Sequence, residues 1–94
     1  MAVTVVVPSV LAAAAGGRSS LEVPAAEART VGEALDAVGR EYPILGRRLR
    51  NERGTLRRHV NAYVGGEDVR RLEGLATPVR DGQEVLVVQS IAGG

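Results

Sequence analysis

Thr30 and Glu33 stand three residues apart at the head of a stretch whose apolar residues, Val31, Ala34, Leu35, Val38 and Tyr42, recur with the period of a helix. The Thr-x-x-Glu spacing predicts a capping box, in which two side chains satisfy backbone N–H groups that the first helical turn leaves free, at about 1 kcal/mol. Pro43 is expected to end this helix, because the residue before a proline avoids helical backbone angles. The other strongly patterned segments alternate with a period of two. A single amphipathic helix covers one face of a sheet, so the chain is directed towards a mixed sheet with one main helix packed on one side.

The alternating segments can be placed one by one. Residues 3 to 8 read as a valine-rich strand closed by Pro8, and Ala12 to Gly17 as a flexible connector. Ser19 to Val23 gives a second strand, stopped by Pro24, so the two form an N-terminal hairpin. Past the helix, Ile44 to Leu49 suits a further helical turn, and Arg50 to Arg57 an exposed loop around Gly54. In Arg58 to Val64 the residues Val60, Ala62 and Val64 point one way and His59, Asn61 and Tyr63 the other. Gly65-Gly66 makes a tight turn into Glu67-Asp68-Val69, and Leu72 to Val79, with Gly74 and Pro78, an irregular crossover. After an Asp81-Gly82 turn comes Glu84 to Ser90, whose unbroken Val85-Leu86-Val87-Val88 suits an interior strand.

Hairpin, helix, then further strands is the order of an α+β fold, the ubiquitin-like β-grasp, here over residues 1–90 with a tail at 91–94. Strand parity adds a surface. If Val85 and Val87 face the helix, Leu86 and Val88 lie on the uncovered face, and Val6 joins them if Val5 and Val7 point inward, the reversed parity being the alternative. An apolar patch beside the tail is expected to bind partners, unless loops cover that face.

Composition removes most other functions. Ninety-four residues make one domain, too small to hold a cofactor domain beside a substrate domain. All twelve basic residues are arginine, and there is neither lysine nor cysteine. Side-chain Schiff bases, isopeptide polymers, disulfides, thiol nucleophiles and thiolate metal sites are thereby excluded. The lone His59 completes no metal site, no phosphate loop or nucleophile elbow occurs, and no catalytic constellation is found. Net charge is +1, which implies neither nucleic acid nor membrane as a partner. The apolar start has no preceding positive charge and is broken by Pro8, so a strand is expected there rather than a signal peptide, with the cytoplasm as location. Arg47, Arg48, Arg50, Arg53, Arg57 and Arg58 stand against Glu52 alone. A solvated loop is the first expectation for them. Partner docking comes second, and nucleic acid third, because stacking aromatics are scarce.

The last residues, Ile91-Ala92-Gly93-Gly94, carry the sharpest chemical signal. Gly93 and Gly94 can thread a channel too narrow for any Cβ, and a terminal Gly94 carboxylate is ionised at neutral pH and able to attack the α-phosphate of ATP. A frayed end is the plain alternative for two glycines. Here a strand feeds the tail directly out of a ubiquitin-like element order. The chain resembles the ThiS, MoaD and CysO group of ubiquitin-like sulfur carrier proteins, above all the CysO type. The likeness runs through Val3-Thr4-Val5, Val60-Asn61-Ala62-Tyr63-Val64, Glu67-Asp68-Val69-Arg70, Gly74-Leu75-Ala76-Thr77, Asp81-Gly82 and Ala92-Gly93-Gly94.

The resemblance implies that an E1-like enzyme uses ATP to adenylate Gly94 and that sulfur replaces one oxygen to give a thiocarboxylate. A sulfur-accepting synthase then uses the tail, with Ile91, Ala92, Leu86, Val88 and Val6 as the tail and partner-binding residues. It implies no cofactor bound by the carrier itself. It favours cysteine biosynthesis, with thiosugar, thiamin and molybdopterin synthesis also served by relatives. A protein modifier that forms amides, and an interaction subunit using only its open sheet face, are the alternatives.

Overall fold

A computed structural model describes residues 1–90. Its centre is a five-stranded mixed sheet in the order β2-β1-β5-β3-β4, formed by β1 (Ala2–Val6), β2 (Ser20–Pro24), β3 (Val60–Val64), β4 (Glu67–Asp68) and β5 (Glu84–Gln89). β1 pairs antiparallel with β2 and parallel with β5, and β5 pairs antiparallel with β3. This is the ubiquitin-like β-grasp expected from the element order. β5 takes the central position that its apolar run suggested.

Alternation decides the two faces. Val3, Val5, Leu21, Val23, Val60, Ala62, Val64, Val85 and Val87 are all buried beneath the helices. The main helix, α2 (Val31–Glu41), meets them with Val31, Ala34, Leu35 and Val38, the stripe read from its periodicity. The Thr30 hydroxyl accepts from the Glu33 N–H at 3.1 Å, as a capping box requires. The reciprocal bond differs from expectation. The Glu33 carboxylate accepts from the N–H of Arg29 at 2.9 Å, one residue before the cap, and also pairs with the Arg29 guanidinium at 3.3 Å. The backbone around Thr30 is occupied by the crossover instead: the Val31 N–H donates to the Thr77 carbonyl and the Val79 N–H to that of Arg29.

Four expectations require correction. The Ala12 to Gly17 connector is not a flexible loop. Residues Ser9–Ala12 form a short helix, α1, and Ala13–Ala15 a 3-10 turn, together seating Leu11 and Ala15 in the core. Burial of two apolar side chains outweighs the poor capping of so short a segment. β1 stops at Val6, two residues before Pro8. Pro43 does not merely end α2; it is the first residue of a seven-residue helix, α3 (Pro43–Leu49), where its missing N–H costs nothing. The main helix keeps its expected place on the sheet, and the two short helices add Leu11, Leu45 and Leu49 to the core beside it.

α3 packs against α2 where Gly39 and Gly46 face each other. A Cβ on Gly46 would lie 3.0 Å from the Gly39 Cα, so the close approach depends on the absence of a side chain there. The fourth correction concerns Arg50 to Arg57. Arg50 is mostly buried and bonds Asp36 of α2 at 2.6 Å, an isolated bridge joins Arg50 to Leu56, and Leu56 packs against the core. Arg47 and Arg48 lie on α3, not in a loop. At the far end of β3, Gly65 and Gly66 turn the chain into β4 with φ of 60° and 80°, the pair of positive angles of a tight hairpin that favours glycine at both sites.

Candidate functional site

The chain leaves the sheet along β5, and β5 is held from both sides. Val5 and Val6 pair with Val85 and Leu86, while Val60 to Val64 pair in register with Gln89 back to Val85. Ser90, the last described residue, is fixed to the same frame: its N–H donates to the His59 carbonyl at 2.9 Å and its hydroxyl at 3.2 Å. Ile91, Ala92, Gly93 and Gly94 lie outside the described residues. The described chain therefore ends just beyond a central strand paired on both edges.

The uncovered face of the sheet carries the residues that parity placed there. Leu86 is 38% exposed, Val88 and Val6 are half-buried, and Val6 stands directly beside Leu86 in the parallel register. Leu86 and Val88 line a shallow concavity of about 670 Å³ with Tyr63, Gln83, Glu84 and the Gly65-Gly66 turn. Val6 does not line it, although it belongs to the same face. Tyr63, directly opposite Leu86 on β3, was assigned to the outer side of its strand but not to a site. Its alternation was visible in the sequence. The pairing that sets it against Leu86 spans more than twenty residues of chain and carries no local signature.

Polar groups frame this patch. Asp68 lies opposite Tyr63 on β4 and accepts from the Arg70 N–H at 2.8 Å. That bond, with a second from the Asn61 amide, holds the Asp68 carboxyl below its ordinary value. Among the described residues, no buried side-chain nitrogen or oxygen lacks a hydrogen-bond partner, and no cluster of three or more His, Cys, Asp or Glu residues could hold a metal ion. Among the described residues no helix is long and apolar enough to cross a membrane.

A β-grasp body with an apolar open face beside an emerging central strand agrees with the comparison to known families, in which the ThiS family matches residues 5–94. The chain belongs to the ThiS family. This ThiS-family chain is 38% identical over 96 residues to the sulfur carrier protein CysO of Mycobacterium tuberculosis, covering 100% of both chains. A chain from the crystal structure of the Amycolatopsis orientalis BexX/CysO complex superposes with a TM-score of 0.81 at 36% identity, over 98% of this chain and 99% of that one. Small archaeal modifier protein 3 of Haloferax volcanii is 42% identical over 65 residues, 69% of this chain and 70% of the relative. The ThiS-family chain is thus a CysO-like sulfur carrier and not an enzyme, and no resident cofactor is expected of it.

Proposed function

We propose that the Gly94 carboxylate is the group that carries sulfur, with Gly93 as the slender residue behind it. An E1-like enzyme supplies ATP. A carboxylate oxygen attacks the α-phosphate, pyrophosphate leaves, and an acyl-adenylate forms. Sulfide then attacks the carbonyl carbon, AMP leaves, and a thiocarboxylate remains. A sulfur-accepting synthase in the cytoplasm takes the sulfur, with cysteine biosynthesis as the favoured pathway because the full-length likeness is to CysO. Residues 1–90 act as the presenting body and 91–94 as the working tail, with Val6, Leu86 and Val88 docking the partner. The observation that carries this reading is a full-length match to a sulfur carrier on a fold whose last strand is central and fixed on both edges.

A second reading, attachment of the activated tail to amines of other proteins, is favoured by the likeness to small archaeal modifier protein 3. The absence of lysine leaves only the N-terminal amine of this chain as a target in itself. Deleting Gly93-Gly94 separates the tail from the sheet face. The truncated protein should melt as the full chain does and support no pyrophosphate exchange, whereas Leu86→Asp should weaken exchange without abolishing it. Full exchange by the truncated protein would refute the role of the tail. Amide adducts on target proteins, formed without sulfide, would favour the modifier reading.

A further inference from the structure

α3 and the segment before β3 bring a second surface to the end of β5. Ile44, Arg47, Arg48, Arg57, His59 and Gln89 line a cleft there, floored by Leu11, and no carboxylate is among its lining residues. Its apolar part includes Ile44, which is 55% exposed. Its charge is held in place. The Arg57 Nε donates to the Arg47 carbonyl at 2.7 Å and the Arg57 N–H to the Leu49 carbonyl, so this guanidinium is folded against the C-terminal turn of α3. Arg70 ties the same segment to the sheet, donating to the carbonyls of Arg57 and Val60 at 3.1 and 2.8 Å.

The ion pairs of the molecule fall elsewhere. Arg29, Arg40 and Arg50 are matched with Glu33, Glu27 and Asp36, but among the described residues no carboxylate lies within 4.0 Å of Arg47, Arg48, Arg57 or Arg58. This is a clustered positive charge against a net charge of only +1 for the chain. It also adjoins the last described residue, because Gln89 lines the cleft and Ser90 is bonded to His59.

We propose that this basic cleft docks on an acidic surface of the activating enzyme, at the mouth of the channel that receives the tail. The inference rests on the tail reading and assigns it a second contact, on the side of the molecule away from the Leu86 patch. Two contacts either side of the emerging strand fix the direction in which the tail enters. Complementary charge at such a rim acts mainly on encounter, so its removal raises KM rather than lowering kcat, and salt masks the difference.

The test is pyrophosphate exchange by the E1-like enzyme of the same organism with Arg47→Glu/Arg48→Glu, at low and high salt. Arg29→Glu/Arg80→Glu, exposed residues brought together before the start of β5 by the Val79 N–H bond to the Arg29 carbonyl, makes the same change in net charge as a control. The cleft variant should show a KM for the carrier raised at least tenfold at low salt, an unchanged kcat, and a gap that narrows as salt rises. Arg47→Gln/Arg48→Gln should fall between it and the wild type. Equal KM values for cleft and control variants, with both folded by circular dichroism, would overturn the proposal while leaving the tail reading intact if Gly93-Gly94 deletion still abolishes exchange. Loss of binding to a single-stranded oligonucleotide in the cleft variant, with KM unchanged, would overturn it in favour of nucleic acid.

Discussion

Glu33 shows how much a single side chain can do at a helix start. Its carboxylate takes the Arg29 N–H and pairs with the Arg29 guanidinium, and both hold its pKa below the ordinary value of 4.5, the backbone bond most of all. A carboxyl whose folded value is depressed stabilises the fold fully above its unfolded value, and that stability is lost as pH falls through the folded one. Urea unfolding between about pH 5 and about pH 3 should therefore show stability falling with pH, and Glu33→Gln should flatten part of that fall. Identical slopes would show that the contact is idle. The Thr30–Glu33 spacing was legible because a cap is a local device. The shift of the reciprocal bond to Arg29 was not, because it follows from Thr77 and Val79 docking on the helix start from almost fifty residues away. Parity put Leu86, Val88 and Val6 on one face, and the burial of Val5, Val7, Val85 and Val87 shows that it is the uncovered one.

Among the elements, the strands and α2 followed from periodicity, while the connections were harder. Ala12 to Gly17 is rich in alanine and glycine and has no periodic stripe, so nothing local distinguishes a loop from the turn that seats Leu11 and Ala15. Pro43 has a similar ambiguity, since proline stops one helix and starts another for the same reason. The contact between α2 and α3 makes a sharper claim. Replacing Gly39 by alanine adds a Cβ at an ordinary 3.5 Å from its neighbour and gains helix propensity, so it should be neutral or stabilising. Replacing Gly46 places the Cβ 3.0 Å from the Gly39 Cα, where backbone must move, and overpacking of about 1–3 kcal/mol should exceed a propensity gain of about 1 kcal/mol. Thermal melts of the two variants should move apart, with Gly46→Ala the lower. Equal melting temperatures would mean that the helices separate freely.

For the whole molecule, the β-grasp places the last strand between β1 and β3, so the segment leading to the tail is hydrogen-bonded along both edges. The apolar run Val85-Leu86-Val87-Val88 was enough to predict an interior strand. Sheet order and the cleft beside Gln89 were not legible, because both arise from contacts between segments far apart in sequence. The arginines of that cleft were visible as a run, but only the fold separates Arg50, neutralised by Asp36, from Arg47 and Arg48, which are not. The body contains no buried polar orphan and no metal cluster among its described residues, which turns attention to its end. Intact-protein and peptide mass spectrometry, after incubation with ATP, the E1-like enzyme and sulfide, tests this most directly. The account predicts a mass gain equal to exchange of one oxygen for sulfur, confined to the peptide ending in Gly94 and dependent on ATP. An unmodified Gly94 in a mixture where the enzyme is active on another carrier would contradict it.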